Sequence, residues 1–192
     1  MSCYVDGEAL TRYHRFNGVR VDWIALCKYL EDLDAGNNAY VDEDVNLIYL
    51  QNKGPEDKAG SLLKVLADYT NFATQVLDAN ASRLAVVGYG YNQPYVQSVV
   101  PLMGFDIGQD MAEHIVVCSD NPAFLTIMHA LYVSPDPPKI TYAFFGRQLG
   151  GITKRWLKDH PAVNFVDLDP NAKALIKPDP RHLVTKTMTV NV

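Results

Sequence analysis

The feature that most constrains this chain is the alternation of short, β-rich apolar runs with segments of helical periodicity. The runs predicted as strands are Ser2–Val5, Val45–Leu50, Arg83–Val87, Phe105–Ile107, Ile115–Cys118, Lys139–Phe145 and Val163–Val166. Strands that alternate with helices are typical of βαβ units, in which helices cover both faces of a mainly parallel sheet. The sequence therefore predicts an α/β, Rossmann-like fold with a sheet of about six strands.

Helix signals lie between the predicted strands. Asp22 is suited to cap a helix that extends to Asp32. A second helix is predicted to start near Pro94 and to end at Gly104, and a third is predicted to start after Pro122.

The longest predicted helix runs from about Glu56 to Leu77 and carries apolar residues on more than one face. A helix of this kind has to bury both faces, and one of them is left over after packing on the sheet. We therefore expect a homodimer, with Phe72 and Leu77 near its interface. The alternative is that the helix predicted after Gly150 or the C-terminal residues cover the second face within one chain.

Composition limits the classes of protein to which the chain can belong. With 192 residues, 48% hydrophobic and 20% charged, it is predicted to form one domain with a buried core. No apolar run reaches the roughly 18 residues of a membrane helix, and the N-terminal sequence lacks secretory features, so we expect a cytoplasmic protein. The net charge of −5 disfavours non-specific adhesion to DNA. Cys3, Cys27 and Cys118 lie in apolar contexts and are predicted to be buried thiols.

Acidic residues follow several of the predicted strands. Asp6 ends the first strand, and Asp120 lies just after the strand that ends at Cys118. Asp106 lies within the short predicted strand Phe105–Ile107, and Asp110 follows it. Because parallel strands end at the same edge of a sheet, these carboxylates are predicted to meet there. Clustered carboxylates repel each other unless a cation neutralises them, and Mg²⁺ or Mn²⁺ prefers such oxygen ligands. The sequence thus predicts a site where bound ions activate water for attack on a phosphodiester.

Each of these acids also has a structural interpretation. Asp120 is suited to a helix cap, and Asp6 before Gly7 is suited to a turn. Asp106 and Asp110 are also compatible with a surface loop. The sequence pattern leaves both interpretations open.

Four cations and one indole are concentrated in residues 146–158, which we call the basic segment. They are Arg147, Lys154, Arg155, Lys158 and Trp156. Cations hold phosphates and an aromatic ring stacks on a base, so the basic segment is predicted to contact RNA. The other interpretation is a short helix with solvated cations and a tryptophan packed in the core.

Glycine, serine and histidine patterns add little to these predictions. Gly88-Tyr-Gly90 follows a predicted strand, but Gln93 stands where a dinucleotide-binding loop needs its third glycine. This segment keeps open a Rossmann-type binder of a small phosphorylated ligand. Ser119 lacks the GxSxG setting of a hydrolase nucleophile. His14, His129 and His160 lack the spacing of a metal site or a catalytic triad, and they are predicted to be surface or core histidines.

Several segments together resemble the NYN domains of the PIN-like metal-dependent ribonuclease superfamily, particularly the LabA-like branch. Tyr4–Leu10 is similar to the opening FIDGxNL strand of that family, Val21–Leu30 to its VDW-type helix, and Ile115–Phe124 to its LVSGDSDF motif. Ala9 stands where the family has asparagine, and Pro122-Ala123 replaces its second aspartate.

The resemblance implies how the chain is organised. It indicates one PIN/NYN-type domain over residues 1–170, with an insertion at about 34–80 that short family members lack. Beyond Pro170 the periodic pattern itself weakens, so residues 171–192 are predicted to form a C-terminal arm, whose end alternates as an added edge strand would.

The resemblance also implies a function, an Mg²⁺- or Mn²⁺-dependent ribonuclease. Asp6 and Asp120 match the metal-binding positions, and the third ligand is expected to be Asp110, Asp106 or Asp57, in that order. The basic segment would guide the phosphate chain. Because two ligand positions differ from the family pattern, the alternative is a catalytically inactive NYN-like scaffold that binds protein or RNA.

Overall fold

The chain folds around a six-stranded sheet in a computed structural model that describes residues 1–11, 18–34, 45–52, 66, 68–78 and 93–178. The strands of this sheet are β1 Ser2–Asp6, β3 Asn46–Asn52, β4 Ala73–Asp78, β5 His114–Cys118, β6 Lys139–Phe144 and β7 Asn164–Asp167. A small antiparallel pair consists of β2 Val19–Val21 and β8 Ile176–Pro178. The helices are α1 (residues 7–11), α2 Trp23–Glu31, α3 Gln93–Gln109, α4 Phe124–Tyr132, α5 Gly151–Asp159 and α6 Ala172–Leu175. Residues 66 and 68–69 are helical, and the segments Asp32–Asp34 and Asp169–Asn171 are 3₁₀ turns.

The strands of the main sheet are all parallel, in the order β4-β3-β1-β5-β6-β7. The chain starts in the middle, builds one side through β3 and β4, and then builds the other side through β5, β6 and β7. The direction of growth therefore reverses between β1 and β5, where Val5 pairs with Cys118. Rossmann-like folds have this arrangement and bind ligands outside the carboxyl ends of the strands at the reversal, which we call the switch point. The predicted α/β fold with about six strands is confirmed.

β1 and β5 form the centre of the core. Every residue of both strands is buried, which is typical of parallel strands covered on both faces. Cys3, Cys27 and Cys118 are buried free thiols, as the sequence predicts. Burial raises the pKa of all three thiols, and that of Cys27 reaches about 12.

The predicted strand Phe105–Ile107 is wrong, because these residues belong to α3. The helix continues through Gly104, where the sequence predicts a helix end. A Cβ atom on Gly104 would lie 2.5 Å from Cδ1 of Ile127 in α4. This glycine therefore allows two helices to approach each other closely. The predicted strands Arg83–Val87 and Thr185–Val192 lie outside the described residues.

The long helix predicted from Glu56 to Leu77 is wrong at its end, because Ala73–Asp78 is the edge strand β4. Phe72 is buried in the core and Leu77 packs against it. The argument that placed both residues at a dimer interface is thereby removed. A homodimer stays a prediction, without these two residues as its contact. The segment predicted as an insertion supplies both β3 and β4.

Asp22 connects the start of α2 with the C-terminal part of the chain. Its side chain accepts a hydrogen bond from the backbone of Ala25, 3.3 Å away, and thus caps α2 as predicted. The same carboxylate pairs with Lys177 of β8, which lowers the pKa of Asp22. The backbone N–H of Asp22 donates to the carbonyl of Leu175, 2.8 Å away. The first residues of the predicted C-terminal arm are therefore held against α2.

Gly7 marks a close approach between the start of α1 and β3, and this generates a first prediction. A Cβ atom on Gly7 would lie 2.7 Å from the carbonyl oxygen of Tyr49 and would also contact Leu50. We expect Gly7→Ala to destabilise the fold by about 1–3 kcal/mol, because the backbone of a central strand cannot move away. Gly108→Ala is the matched control, since nothing lies within 4 Å of a Cβ there. It should stabilise α3 by roughly 0.5–1 kcal/mol. Urea unfolding that gives both variants the same stability would contradict this prediction.

Candidate functional site

The switch point is built around Asp6, the last residue of β1, which is fully buried. Its Oδ1 atom accepts the backbone N–H of Ala9 at 2.9 Å, and its Oδ2 atom accepts the hydroxyl of Ser119 at 2.7 Å. The first hydrogen bond satisfies a donor at the start of α1, where the first N–H groups of a helix have no helical partner. The second joins β1 to the loop that follows β5. Asp6 therefore orders both sides of the switch point.

The loop after β5 is organised by two further polar residues. Ser119 is buried and also accepts the backbone N–H of Asn121 at 3.0 Å. The Oδ1 atom of Asn121 accepts the backbone N–H of Ala123 at 2.9 Å, just before α4. The side-chain hydrogen bond at the entry to α4 is thus made by Asn121, the neighbour of Asp120.

Asp6 and Asp120 both lie at the carboxyl edge of the sheet, after the neighbouring strands β1 and β5. Ser119 links them, because its hydroxyl binds Asp6 and it directly precedes Asp120 in the chain. Burial is the main cause of the raised pKa of the Cys118 thiol, and the charges of Asp6 and Asp120 both raise it further. We call Asp6 and Asp120 the carboxylate pair.

Asp106 and Asp110 have other partners. The hydroxyl of Tyr49 donates to Oδ2 of Asp106 at 2.7 Å, and the hydroxyl of Tyr4 donates to Oδ2 of Asp110 at 2.7 Å. Both tyrosines are buried and their rings stack at 6.5 Å. Burial and the neighbouring carboxylate raise the pKa of each tyrosine above its usual range, so both keep their hydrogen and act as donors.

The topology places Asp110 at the opposite edge of the sheet from the carboxylate pair. Asp110 shortly precedes His114, the first residue of β5, and so lies near the amino ends of the strands. Asp6 and Asp120 follow the carboxyl ends. Within the described residues, no group of three or more His, Cys, Asp or Glu side chains is arranged to hold a metal ion. Asp57, the remaining candidate for a third ligand, lies outside those residues.

The basic segment forms a turn and the helix α5, which follow β6 at the carboxyl edge of the sheet. Lys154, Arg155 and Lys158 are exposed on α5. Arg147 lies in the turn with a side chain that is 87% exposed, and its Nε atom is 3.9 Å from Asp169. The indole of Trp156 stacks on a histidine with the ring centroids 4.1 Å apart, so one of its faces is covered.

A cleft of about 610 Å³ opens where β6 and β7 end. It is lined by Gly146, Arg147, Lys154, Phe165, Asp167, Asp169 and Pro170. The backbone N–H groups of Gly146 and Arg147 donate to Asp167 and Asp169 at 2.9 and 2.8 Å. A Cβ atom on Gly146 would lie 2.8 Å from the Asp167 carboxylate, so a larger residue here would displace this side chain. The cleft therefore combines two cations, two ordered carboxylates and one aromatic ring.

Sequence reasoning missed several of the residues that build these sites. Ser119 lacks the setting of a nucleophile, yet its position directly after a buried strand is a signal that it contacts the end of β1. Asp167 ends β7 and Asp169 follows it, and the same signal applies to both. The tyrosine partners of Asp106 and Asp110 give no local signal, because the partners are remote in sequence.

Fold and site together define an α/β protein with a Rossmann-like parallel sheet and a carboxylate pair at its switch point. Comparison with protein-family models, with curated proteins and with solved structures finds no match to this chain. In the part of the chain that the structure describes, no helix is long and apolar enough to cross a membrane.

The contact between Ser119 and Asp6 generates a second prediction. Ser119→Ala removes a buried donor from the carboxylate, and we expect a loss of about 1.5–3 kcal/mol in the free energy of unfolding. Ser134→Ala is the matched control, because the Ser134 hydroxyl donates to the carbonyl of Leu131 at the end of α4, a neutral acceptor. It should cost no more than about 1 kcal/mol. If urea unfolding shows that both variants lose the same free energy of unfolding, the hydrogen bond from Ser119 to Asp6 contributes no more to stability than one to a neutral acceptor, and the prediction is wrong.

Proposed function

We propose that this chain is a divalent-cation-dependent ribonuclease whose reacting phosphodiester lies beside Asp6 and Asp120. The observation that carries the proposal is the 2.7 Å hydrogen bond between Ser119 and Asp6, which ties a buried carboxylate at the switch point to the residue directly before Asp120. Carboxylates at the end of a central strand are costly to bury without a role. The resemblance of the same two positions to the metal ligands of NYN domains supports this assignment.

The donor chemistry of the carboxylate pair fits Mg²⁺ or Mn²⁺. Magnesium keeps several waters and is usually held by one or two carboxylates together with the phosphates of a substrate. The contacts of Asp6 to Ala9 and Ser119 hold its carboxylate in one orientation. Asp6 and Asp120 would hold the ion, which supplies neutralisation of the charge that develops on the phosphate.

The residues of the chain have distinct parts in this proposal. Ser119 is a positioning residue, because it holds the Asp6 carboxylate through its hydroxyl. Asp120 is less buried than Asp6 and therefore lies nearer to solvent. It is the better placed of the two to accept a hydrogen bond from an attacking water molecule.

The basic segment is proposed to hold the RNA chain next to the carboxylate pair. The cleft with Arg147 and Lys154 opens at the carboxyl ends of β6 and β7, the same edge of the sheet as the switch point. Two strand spacings, about 10 Å, separate the two places along this edge. Asp167 and Asp169 reduce the positive charge of the cleft but are themselves engaged by backbone N–H groups.

A second candidate function is an RNA-binding scaffold without catalytic activity. It is favoured by one observation, that the described residues contain no group of three or more side chains arranged for a metal ion. In this case Asp6 would serve only to join β1, α1 and the loop after β5. The two functions differ in their response to metal ions, so a titration with Mn²⁺ separates them.

The third prediction tests the carboxylate pair. If it binds Mn²⁺, an ion concentration one hundred times Kd should raise the melting temperature by roughly 5–10 °C, and the ion should support cleavage of single-stranded RNA. Asp6→Asn and Asp120→Asn should each abolish both effects. Asp136→Asn is the control, since Asp136 is exposed in a turn before β6. A rise in melting temperature that is the same in all four proteins would exclude the pair, and binding of RNA without cleavage would support the scaffold.

The fourth prediction tests the basic segment. Changing Arg147, Lys154 and Arg155 to glutamine should weaken binding of single-stranded RNA. The slope of log K against log salt should fall by roughly 0.7 for each phosphate that the variant no longer neutralises.

The matched control for the basic segment removes the same number of charges elsewhere. Lys28, Lys139 and Lys173 are exposed and lie outside the basic segment. Their triple change to glutamine should leave the salt slope nearly unchanged. If both triple variants change the slope equally, only the total charge of the protein matters and the basic segment does not bind the RNA.

A further inference from the structure

Two histidines from different helices meet at the surface of the protein. His129 lies in the last turn of α4, and His160 directly follows α5. The Nδ1 atom of His129 and the Nε2 atom of His160 are 3.2 Å apart. The ring of His160 is held by Trp156, which stacks on it at 4.1 Å, and by the edge of Tyr132 at 5.1 Å. One of the two imidazoles is therefore fixed in position.

The hydrogen bonds of His160 determine which of its nitrogens has a lone pair. Its Nδ1 atom is 2.8 Å from the carbonyl oxygen of Trp156. A carbonyl oxygen only accepts, so Nδ1 of His160 carries the hydrogen. In the neutral ring the Nε2 atom then has the lone pair, and this is the atom that faces His129. Without an ion, the N–H of His129 Nδ1 therefore donates to Nε2 of His160. A metal ion would take the place of this hydrogen, because His129 is exposed and its neutral ring is able to carry its hydrogen on Nε2 instead.

We infer that His129 and His160 form a binding site for a divalent transition-metal ion of the Zn²⁺ class. In a tetrahedral zinc site the Zn–N distances of about 2.0–2.1 Å place two ligand nitrogens about 3.3–3.4 Å apart. The observed separation of 3.2 Å is close to this value. Imidazole nitrogens suit zinc, copper and nickel, whereas Mg²⁺ prefers oxygen.

The surroundings of His160 are also those of a metal ligand. A histidine that binds a metal generally donates its second ring N–H to a carbonyl or a carboxylate, which orients the ring. The bond from His160 to the Trp156 carbonyl has this form. The described residues contain no group of three or more suitable side chains, so the inference assigns two ligands among them, His129 and His160.

The histidine site is separate from the proposed ribonuclease site. α4 and α5 both start at the carboxyl edge of the sheet and run toward its amino edge, where they lead into β6 and β7. His129 and His160 lie at the far ends of these helices. An ion bound by both would connect α4 to α5 and would stabilise the folded chain, because the unfolded chain does not hold the two rings together.

The test is a titration of the full chain, purified without a polyhistidine tag, with zinc chloride in a calorimeter at pH 7.5. We expect one Zn²⁺ to bind per chain. His129→Gln and His160→Gln should each weaken this binding at least about tenfold, as the loss of one of two ligands requires. The control is the double variant His14→Gln, His182→Gln, which changes histidines outside the described residues and should bind Zn²⁺ as the wild type does. Saturation with Mg²⁺ beforehand should not change the zinc binding.

A spectroscopic measurement keeps the test valid if the His160 variant is unstable. In a Trp23→Phe background, Trp156 is the only tryptophan of the chain. Cu²⁺ bound by the two histidines should quench its fluorescence, and His129→Gln should remove the quenching, since the exposed His129 ring packs edge-on against His160, the ring that stacks on the indole. Three results would overturn the inference: no zinc binding at millimolar concentration, zinc binding that both histidine variants retain, or loss of binding in the control. Loss of the Mn²⁺ effect with zinc binding intact would affect only the proposed ribonuclease.

Discussion

The complete burial of β1 and β5 is the constraint on which the rest of the structure depends. These two neighbouring strands have no exposed residue, so a polar group at their ends has to find its hydrogen-bond partners inside the protein. Asp6 meets this requirement by accepting from Ala9 and Ser119. The same two contacts set the direction of α1 and the course of the loop after β5. The hydrogen bonds that satisfy the buried Asp6 carboxylate are therefore also the contacts that shape the switch point.

The sequence predicted four of the strands well. β1, β5, β6 and β7 are short β-rich runs, and each was predicted within one residue of its ends. The predictions failed where a residue serves a contact that is distant in the chain. Gly104 resembled a helix end, but it is the place where α3 approaches Ile127 of α4. Ala73–Asp78 continued a helical pattern, and only its pairing with β3 makes it a strand. The local preferences of these residues for helix or strand do not reveal this pairing, because β3 is distant in the sequence.

The residues of the candidate site also divide into those that the sequence placed correctly and those that it did not. Asp6 and Asp120 were identified because a parallel sheet presents its strand ends at one edge, which is a property of topology that the sequence reveals. Asp106 and Asp110 were assigned to that edge because part of their helix was predicted as a strand. The helix that forms instead carries Asp110 to the other edge of the sheet, and Asp106 accepts the hydroxyl of Tyr49. The contact of Ser119 with Asp6 could have been predicted, because Ser119 directly follows a buried strand. The tyrosine partners of Asp106 and Asp110 could not, because these contacts depend on how α3 packs on β1 and β3.

The four aspartates show how position decides what a carboxylate does. Asp106 and Asp110 each accept the hydroxyl of a buried tyrosine at 2.7 Å. A phenol with a raised pKa remains a donor at any physiological pH, so these contacts tie α3 to two central strands without depending on an ion. Asp6 and Asp120 instead lie at the end of the sheet where a chain of any Rossmann-like topology is open to ligands. A carboxylate that has to stay charged beside a second one is stabilised by a cation or by strong donors, and the Ser119 hydroxyl is one such donor to Asp6. The two pairs of acids therefore differ in what holds them. Tyrosine hydroxyls hold Asp106 and Asp110, whereas the Ser119 hydroxyl and the Ala9 N–H hold Asp6, so in the proposed function only the pair of Asp6 and Asp120 would take an ion.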